Sequence, residues 1–177
     1  WANVSPPGFI DIWGNIFLNE NVGFAIGGGC VNEQQFYKTT NGGKSWSAFY
    51  ENYYDSGLSD VIFDENSGVG YAASSGAIWR TTDFGNTWQI FAITGSRDWQ
   101  EEITLSGQTF LLPYSGGCTG DAGGGGMRIS TDMGRTWNNH ELGVPMFGSF
   151  LLSPNEGWVV GWNKSIYYRS EEHTSEL

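Results

Sequence analysis

Thr81-Thr82-Asp83-Phe84-Gly85-Asn86-Thr87-Trp88 is one of three copies of an eight-residue pattern, and this pattern indicates how the chain folds. It returns as TTNGGKSW at residues 39–46 and as STDMGRTW at residues 130–137. The shared pattern is Ser or Thr, any residue, Asp or Asn, any residue, Gly, any residue, Ser or Thr, and Trp. A chance match has a probability on the order of 10⁻⁵ per position, so three copies indicate an internal repeat.

The three copies begin at residues 39, 81 and 130, at spacings of 42 and 49 residues. Repeats of this length are typical of β-propeller blades or of helical arrays. Helices are excluded because Gly, Asn and Asp interrupt the chain every few residues and no long stripe with a 3.6-residue period is present. The repeat therefore predicts short strands joined by turns.

Each position of the pattern has a mechanical role in a turn. The Asp or Asn side chain can accept hydrogen bonds from the backbone N–H groups that follow it. The glycine can adopt a positive φ, the two hydroxyls can bond across the hairpin, and the Trp ring can pack over it. We expect these residues to be structural: Thr39, Asn41, Gly43, Ser45, Trp46, Thr81, Asp83, Gly85, Thr87, Trp88, Ser130, Asp132, Gly134, Thr136 and Trp137.

Composition supports an all-β chain and excludes several kinds of partner. The 177 residues include 27 Gly and 9 Trp, and only 15% are charged, which suits many strands and tight turns. The net charge of −11 disfavours nucleic acid and anionic membranes as partners. No apolar run approaches the roughly 18 residues of a membrane span. Cys30 and Cys118 do not make a disulfide framework, His140 and His173 form no zinc motif, and we expect no metal and no cofactor.

More than the turn is repeated. A Gly-aromatic-aliphatic strand recurs at residues 23–27, 70–74 and 157–161, and a further strand leads into each octapeptide. Each unit therefore has four strands in an antiparallel meander. The first strands are predicted near 10–17, 59–63, 101–105 and 149–152, and the second strands at 23–27, 71–74, 109–112 and 158–161. The third strands are predicted at 35–39, 77–81, 127–130 and 166–170, and the fourth strands begin at Ser45, Thr87 and Thr136.

The octapeptide resembles the Asp-box, or bacterial neuraminidase repeat, of β-propellers. The resemblance implies about three and a half blades, near residues 8–50, 57–93, 99–140 and 147–168, from a ring of seven blades with a range of six to eight. The sequence is most similar to photosystem II assembly-factor-like and sortilin-like propellers, many of which are secreted bacterial proteins. Sialidases are disfavoured because Arg80 and Arg128 are predicted on third strands, away from the inner strands that a sialidase arginine triad needs.

The last nine residues depart from the repeat. The run Arg169–Leu177, RSEEHTSEL, resembles the translation of a widely used sequencing adapter. We therefore expect residues 1–168 to be a partial propeller, residues 169–177 to be an artefact and the natural protein to be longer, with further blades. The alternative is a degenerate last repeat.

Candidate functional residues are expected on the face opposite the octapeptide turns, where irregular loops connect the blades. Tyr53, Tyr54, Asp55 and Trp99 could form an aromatic and acidic platform for a sugar or a peptide, although such rings also pack between blades. Asp11 and Asp60 are the only acids we would test as catalytic residues. Asp98, Glu101 and Glu102 form an acidic group, but neighbouring residues of a strand point to opposite faces.

Two functions remain open. The first is an extracellular, non-enzymatic propeller that binds a protein or a glycan on the loop side. The second is a glycoside hydrolase of the xyloglucanase type that acts on β-glucans. Of the two, the sequence favours the binding protein.

Overall fold

The computed structural model describes residues 2–6, 8, 11–28, 34–48, 58–64, 66–95, 98–117 and 124–170. Within these ranges the chain forms four antiparallel sheets, one after another along the sequence. The main strand order in each sheet follows the chain, so each sheet is a meander of hairpins. The predicted all-β fold of successive four-stranded units is confirmed.

We call the sheets blades one to four. Blade one contains β1 (Ile12–Phe17), β2 (Gly23–Gly28), β3 (Gln34–Thr39) and β4 (Ser47–Ala48). Blade two contains β5 (Leu58–Phe63), β6 (Gly70–Ser74), β7 (Ala77–Thr81) and β8 (Gln89–Ile93). Blade three contains β9 (Trp99–Gln100), β10 (Thr104–Ser106), β11 (Thr109–Ser115), β12 (Gly125–Ser130) and β13 (Asn138–Glu141). Blade four contains β14 (Met146–Ser153), β15 (Glu156–Gly161) and β16 (Ile166–Arg169), with a 3₁₀ turn at Trp162–Lys164.

The first strand of blade three differs from the prediction. The strand predicted at 101–105 is divided into β9 and β10, which both pair with β11, and residues 101–103 lie between them outside the ladder. Gln100 pairs with Tyr114 and Thr104 pairs with Leu111. One extra residue must therefore be accommodated on the first strand, and it interrupts the pairing.

Other strand ends differ from the prediction more modestly. The fourth strands begin at Ser47, Gln89 and Asn138, two residues later than predicted, because the last two residues of each octapeptide still belong to its turn. In addition, β11 extends to Ser115 and β14 begins at Met146.

The octapeptide turns are closed by their own side chains. Asp132 accepts hydrogen bonds from the Thr136 backbone N–H at 2.9 Å and from the Thr136 hydroxyl at 2.7 Å. The Ser130 hydroxyl accepts from the Gly134 N–H at 2.7 Å. The bonds from Thr136 hold the pKa of Asp132 at about 2. Turns 39–46 and 81–88 repeat the same two backbone contacts.

The connections lie at two opposite ends of the blades. Phe84 donates its N–H to Gly68 O at 3.1 Å, and Met133 donates to Gln108 O at 3.0 Å. These bonds join each octapeptide turn to the turn between the first two strands of its own blade. We call this end the turn face, and the opposite end, where the second-to-third and blade-to-blade connections lie, the loop face.

The core lies between blades rather than within them. Phe24 and Phe36 of blade one pack against Phe63 and Trp88 of blade two, with ring centroids 5.2 Å apart for Phe24–Phe63 and 5.7 Å for Phe36–Trp88. Similar buried clusters join blades two and three and blades three and four. Burying one such side chain contributes about 1.5–3 kcal/mol, so each blade depends on its neighbour for stability.

Candidate functional site

The first strands carry an extra residue near the loop face. In β1, Ile12 pairs with Gly27 and Gly14 with Ile26, which leaves Trp13 as the extra residue. Ser59 and Phe147 occupy the corresponding places in β5 and β14. A β-bulge turns a side chain away from the regular sheet and is common beside functional sites. The bulges therefore place side chains such as Trp13 and Phe147 at the loop-face end of the first strands, in positions that a regular strand would not give them.

Two aromatic pairs lie at this edge. Trp13 is 50% exposed and contacts the edge of Trp99, with ring centroids 6.3 Å apart. Phe147 is 38% exposed and contacts Trp162, with centroids 5.9 Å apart. Trp99, predicted as part of a binding platform, is only 9% exposed, so it supports Trp13 rather than presenting a ring of its own.

Two carboxylates follow the bulge positions of blades two and three. Asp60 Oδ2 accepts the backbone N–H of Ile103 in the next blade at 3.1 Å. Glu102 Oε2 accepts the backbone N–H of Ser149 in the blade after that, and also the Ser149 hydroxyl at 3.1 Å. Asp60 and Glu102 therefore make the same kind of blade-to-blade contact one repeat apart.

The burial of Asp60 and the nearby charge of Glu102 change the pKa of Asp60. Burial raises the pKa of Asp60 to about 6, and the charge of Glu102 adds to the rise, while hydrogen bonds from the Ile103 and Val61 backbones oppose it. Asp60 can therefore hold a proton near pH 6, where an ordinary aspartate is ionised. Such a group can act as a general acid.

Both carboxylates line a cavity of about 720 Å³ between the first strands of blades two and three. Tyr71, Arg80 and Asp64 contribute further polar groups to its wall. The cavity is large enough for a small ligand. Among the described residues, no three His, Cys, Asp or Glu side chains are grouped so that they could hold a metal ion.

A third feature is a buried arginine in blade three. Arg128 is 1% exposed, donates from Nη2 to Asp98 Oδ2, and lies with its guanidinium carbon 4.1 Å from the centroid of the Tyr114 ring. Its Nε and Nη1 have no hydrogen-bond partner among the described residues. Burial raises the pKa of Tyr114, and the neighbouring Glu141 adds to the rise. The pair of Arg128 and Asp98 ties the connection before blade three to its third strand.

The sequence identifies Arg128 only as a third-strand arginine. Comparing the same strand position in the other blades shows why Arg128 is unusual. Arg128 pairs with Leu112 in the position where Tyr37 pairs with Ala25 and Trp79 with Ala72. A charged residue in an otherwise aromatic position marks the place where blade three departs from the repeat.

The remaining sequence candidates are dispersed. Asp11 is exposed in the segment before β1, and Glu101 accepts a hydrogen bond from the Ser115 hydroxyl at 2.5 Å. Tyr53, Tyr54, Asp55, Cys30, Cys118 and residues 171–177 lie outside the described residues. Within the described ranges, no helix has the length and apolar character that a membrane crossing requires.

No protein-family model and no curated protein sequence matches the chain. Among solved structures, the chain is similar to the GH74 enzyme of Niastella koreensis, with 18% identity, a TM-score of 0.64, and coverage of 86% of this chain and 26% of that chain. It is similar to YCF48 from Cyanidioschyzon merolae, with 14% identity, a TM-score of 0.65, and coverage of 93% and 52%. An ancestral GH74 enzyme gives 15% identity, a TM-score of 0.65, and coverage of 96% and 24%.

The chain spans about a quarter of the length of the two GH74 enzymes and about half of YCF48. At these identities the likeness concerns the fold and not the activity. The four successive antiparallel sheets and these structural neighbours together establish that the chain has the fold of a β-propeller fragment.

Proposed function

We propose that this chain belongs to an extracellular bacterial protein that binds a protein or glycan ligand on its loop face. The observation that carries the proposal is the edge of the loop face, where bulges in the first strands present the Trp13–Trp99 and Phe147–Trp162 pairs. Exposed aromatic rings held by a rigid scaffold provide contact area at a low cost in conformational entropy. The turn face supports a ligand site on the loop face, because the repeated side chains of the octapeptide turns make hydrogen bonds within their own turns.

Replacing Trp13 with alanine tests this proposal. We expect the substitution to weaken ligand binding by about tenfold or more, the usual effect of removing a central aromatic contact. The probes are a glycan array that includes xyloglucan oligosaccharides and a displayed peptide library. The control is Ile93→Ala, which removes a side chain that is 60% exposed on β8. Absence of any ligand, or equal losses in both variants, would contradict the proposal.

A glycoside hydrolase that acts on β-glucans is the second candidate, and a separate observation favours it. Asp60 and Glu102 line one cavity, and Asp60 retains a proton to about pH 6. Glycoside hydrolysis is commonly performed by two carboxyl groups, one of which donates a proton to the leaving oxygen. In such a hydrolase Asp60 is the proton donor and Glu102 is the second carboxyl group.

Asp60→Asn separates the two functions. If the chain is a hydrolase, the variant should reduce xyloglucan turnover by at least about a hundredfold, the usual contribution of a general acid. Turnover by the parent protein should fall as the pH rises through about 6, because Asp60 then loses its proton. A binding protein should show no turnover and should bind its ligand equally well after the substitution. Turnover that survives the substitution would remove Asp60 from the mechanism.

A further inference from the structure

The junction between blades two and three is packed differently from the junction between blades one and two. In blade two, Phe63 pairs with Gly70, lies against that glycine and stacks on Phe24 of blade one, with ring centroids 5.2 Å apart. Leu105 and Phe110 form the corresponding pair in blade three, because Phe110, like Gly70, pairs with the first residue of its octapeptide. The ring therefore stands on the second strand of blade three instead of the first, and Leu105 lines the cavity of about 720 Å³.

A third-strand cation has different surroundings at the two junctions. Lys38 of blade one donates from Nζ to Phe84 O at 3.1 Å and to Asn86 Oδ1 at 2.7 Å, both in the octapeptide turn of blade two. Arg80 holds the same position in blade two, immediately before the octapeptide. In the next turn the position of Asn86 is occupied by Arg135, and an arginine side chain has no hydrogen-bond acceptor. Arg80 therefore lacks the side-chain acceptor that Lys38 uses.

Arg80 is held in the wall of the cavity by two aromatic rings. Its guanidinium carbon lies 6.0 Å from the centroid of the Tyr71 ring and 5.8 Å from that of Phe91, and such contacts between a cation and an aromatic face are attractive. Arg80 Nε is buried and has no hydrogen-bond partner among the described residues. Because an unpaired buried donor is destabilising, a ligand that brings an acceptor to this guanidinium is favoured.

The carboxylates of the same wall already accept hydrogen bonds. Asp60 and Glu102 accept from the backbone of the following blades. Asp64 accepts from the Ser67 hydroxyl at 2.6 Å and from the Asn66 N–H at 3.0 Å. The cavity therefore offers a ligand an open donor and an apolar surface. The apolar surface is formed by Ile62, Val69, Leu105 and Met133.

We propose that the turn-face end of this cavity binds a small apolar molecule that carries one carboxylate group. The carboxylate accepts hydrogen bonds from the guanidinium of Arg80, whose planar fork matches two carboxylate oxygens, and the apolar part packs against the apolar surface. Arg80 immediately precedes an octapeptide turn, whereas Asp60 and Glu102 follow the bulge positions near the loop face. The bound anion is therefore placed away from these two acids. This site is separate from the aromatic edge of the loop face, and its test involves neither Trp13 nor Asp60.

Calorimetric titration of the full chain with phenylbutyrate tests the proposal. The parent protein should bind phenylbutyrate with a Kd below about 1 mM. The uncharged phenylbutyramide has a similar shape and should bind about tenfold more weakly, because it forms no charge-assisted hydrogen bond. Arg80→Gln should weaken phenylbutyrate binding by about tenfold and leave phenylbutyramide binding unchanged. The control is Lys44→Gln, which removes an exposed cation from the octapeptide turn of blade one and should leave both affinities unchanged.

The methionine methyl groups show where the molecule binds. Met133 lines the cavity, whereas Met146 is buried between blades three and four. In NMR spectra of protein labelled at these methyl groups, phenylbutyrate should shift the Met133 signal and leave the Met146 signal in place. A shift of Met146 without Met133 overturns the proposal. So does an absence of binding by the parent protein at about 10 mM, an equal affinity for the acid and the amide, or phenylbutyrate binding that Arg80→Gln does not weaken. Near-UV circular dichroism verifies folding, and if Arg80→Gln does not fold, the comparison of the two ligands on the parent protein decides.

Discussion

Replacing Gly85 with alanine is expected to lower the free energy of unfolding by about 3 kcal/mol. About 1–2 kcal/mol of this loss comes from holding an alanine in a left-handed backbone conformation. Gly85 has a φ of 70°, in the region where a side chain is strained. The new Cβ would also overlap Cζ of Phe24. Overpacking a filled core site of this kind costs a further 1–3 kcal/mol, roughly. The measurement is urea-induced unfolding of the two proteins.

Gly95→Ala is the matched control for this experiment. Gly95 has a φ of 82°, but no atom of the described residues lies within 4 Å of the position of its Cβ. It should therefore show only the backbone cost of about 1–2 kcal/mol. The difference between the two variants measures how tightly the Phe24 ring of blade one fits the turn of blade two. Equal losses would show that this contact is not tightly packed.

Removing the carboxylate of Asp98 is the second large effect. Arg128 is 1% exposed, whereas the Asp98 side chain is 33% exposed. Asp98→Ala leaves the guanidinium buried without its counter-ion, which ordinarily costs about 3–5 kcal/mol. Because water reaches Asp98, we expect a smaller loss, about 2–3 kcal/mol.

Replacing Arg128 instead of Asp98 should destabilise the protein much less. Arg128→Met removes two buried nitrogen atoms, Nε and Nη1, that have no hydrogen-bond partner among the described residues, and it leaves the Asp98 carboxylate in contact with water. Because the remaining carboxylate is 33% exposed, this variant leaves no uncompensated charge buried, so we expect a loss below about 1 kcal/mol. The double variant should recover most of the stability that Asp98→Ala loses. Additive losses in urea unfolding would contradict a direct coupling of the two side chains.

The candidate site could be located from sequence only in part. Strand alternation and hairpin parity place the loops opposite the octapeptide turns, so the loop face was predictable. The sequence identifies Asp60 as an acid at the start of a blade, but its backbone contact is with Ile103, 43 residues away. The position of Glu102 is obscured in the sequence because it lies in the interruption between β9 and β10, where the repeat predicts a regular strand.

The aromatic pairs could also be predicted from the sequence only in part. Trp13 and Trp99 lie in different blades and meet because the bulge in β1 moves Trp13 out of the regular alternation. Nothing in the local sequence around Ile12–Phe17 marks this bulge. The prediction for Trp99 therefore identifies a residue at this edge, while Trp13, the more exposed member of the pair, is not singled out by its sequence.

Local sequence specifies the four repeated sheets, the approximate positions of their strands and the octapeptide turns, because these depend on short-range hydrogen bonds and on the two-residue alternation of strands. The contacts between blades are specified only in three dimensions: Asp60 with Ile103, Arg128 with Asp98, and Phe24 with Gly85. They depend on the bulges and on how one sheet packs against the next. Such packing is set by the shapes of side chains that are distant in the chain, and a local pattern does not specify it.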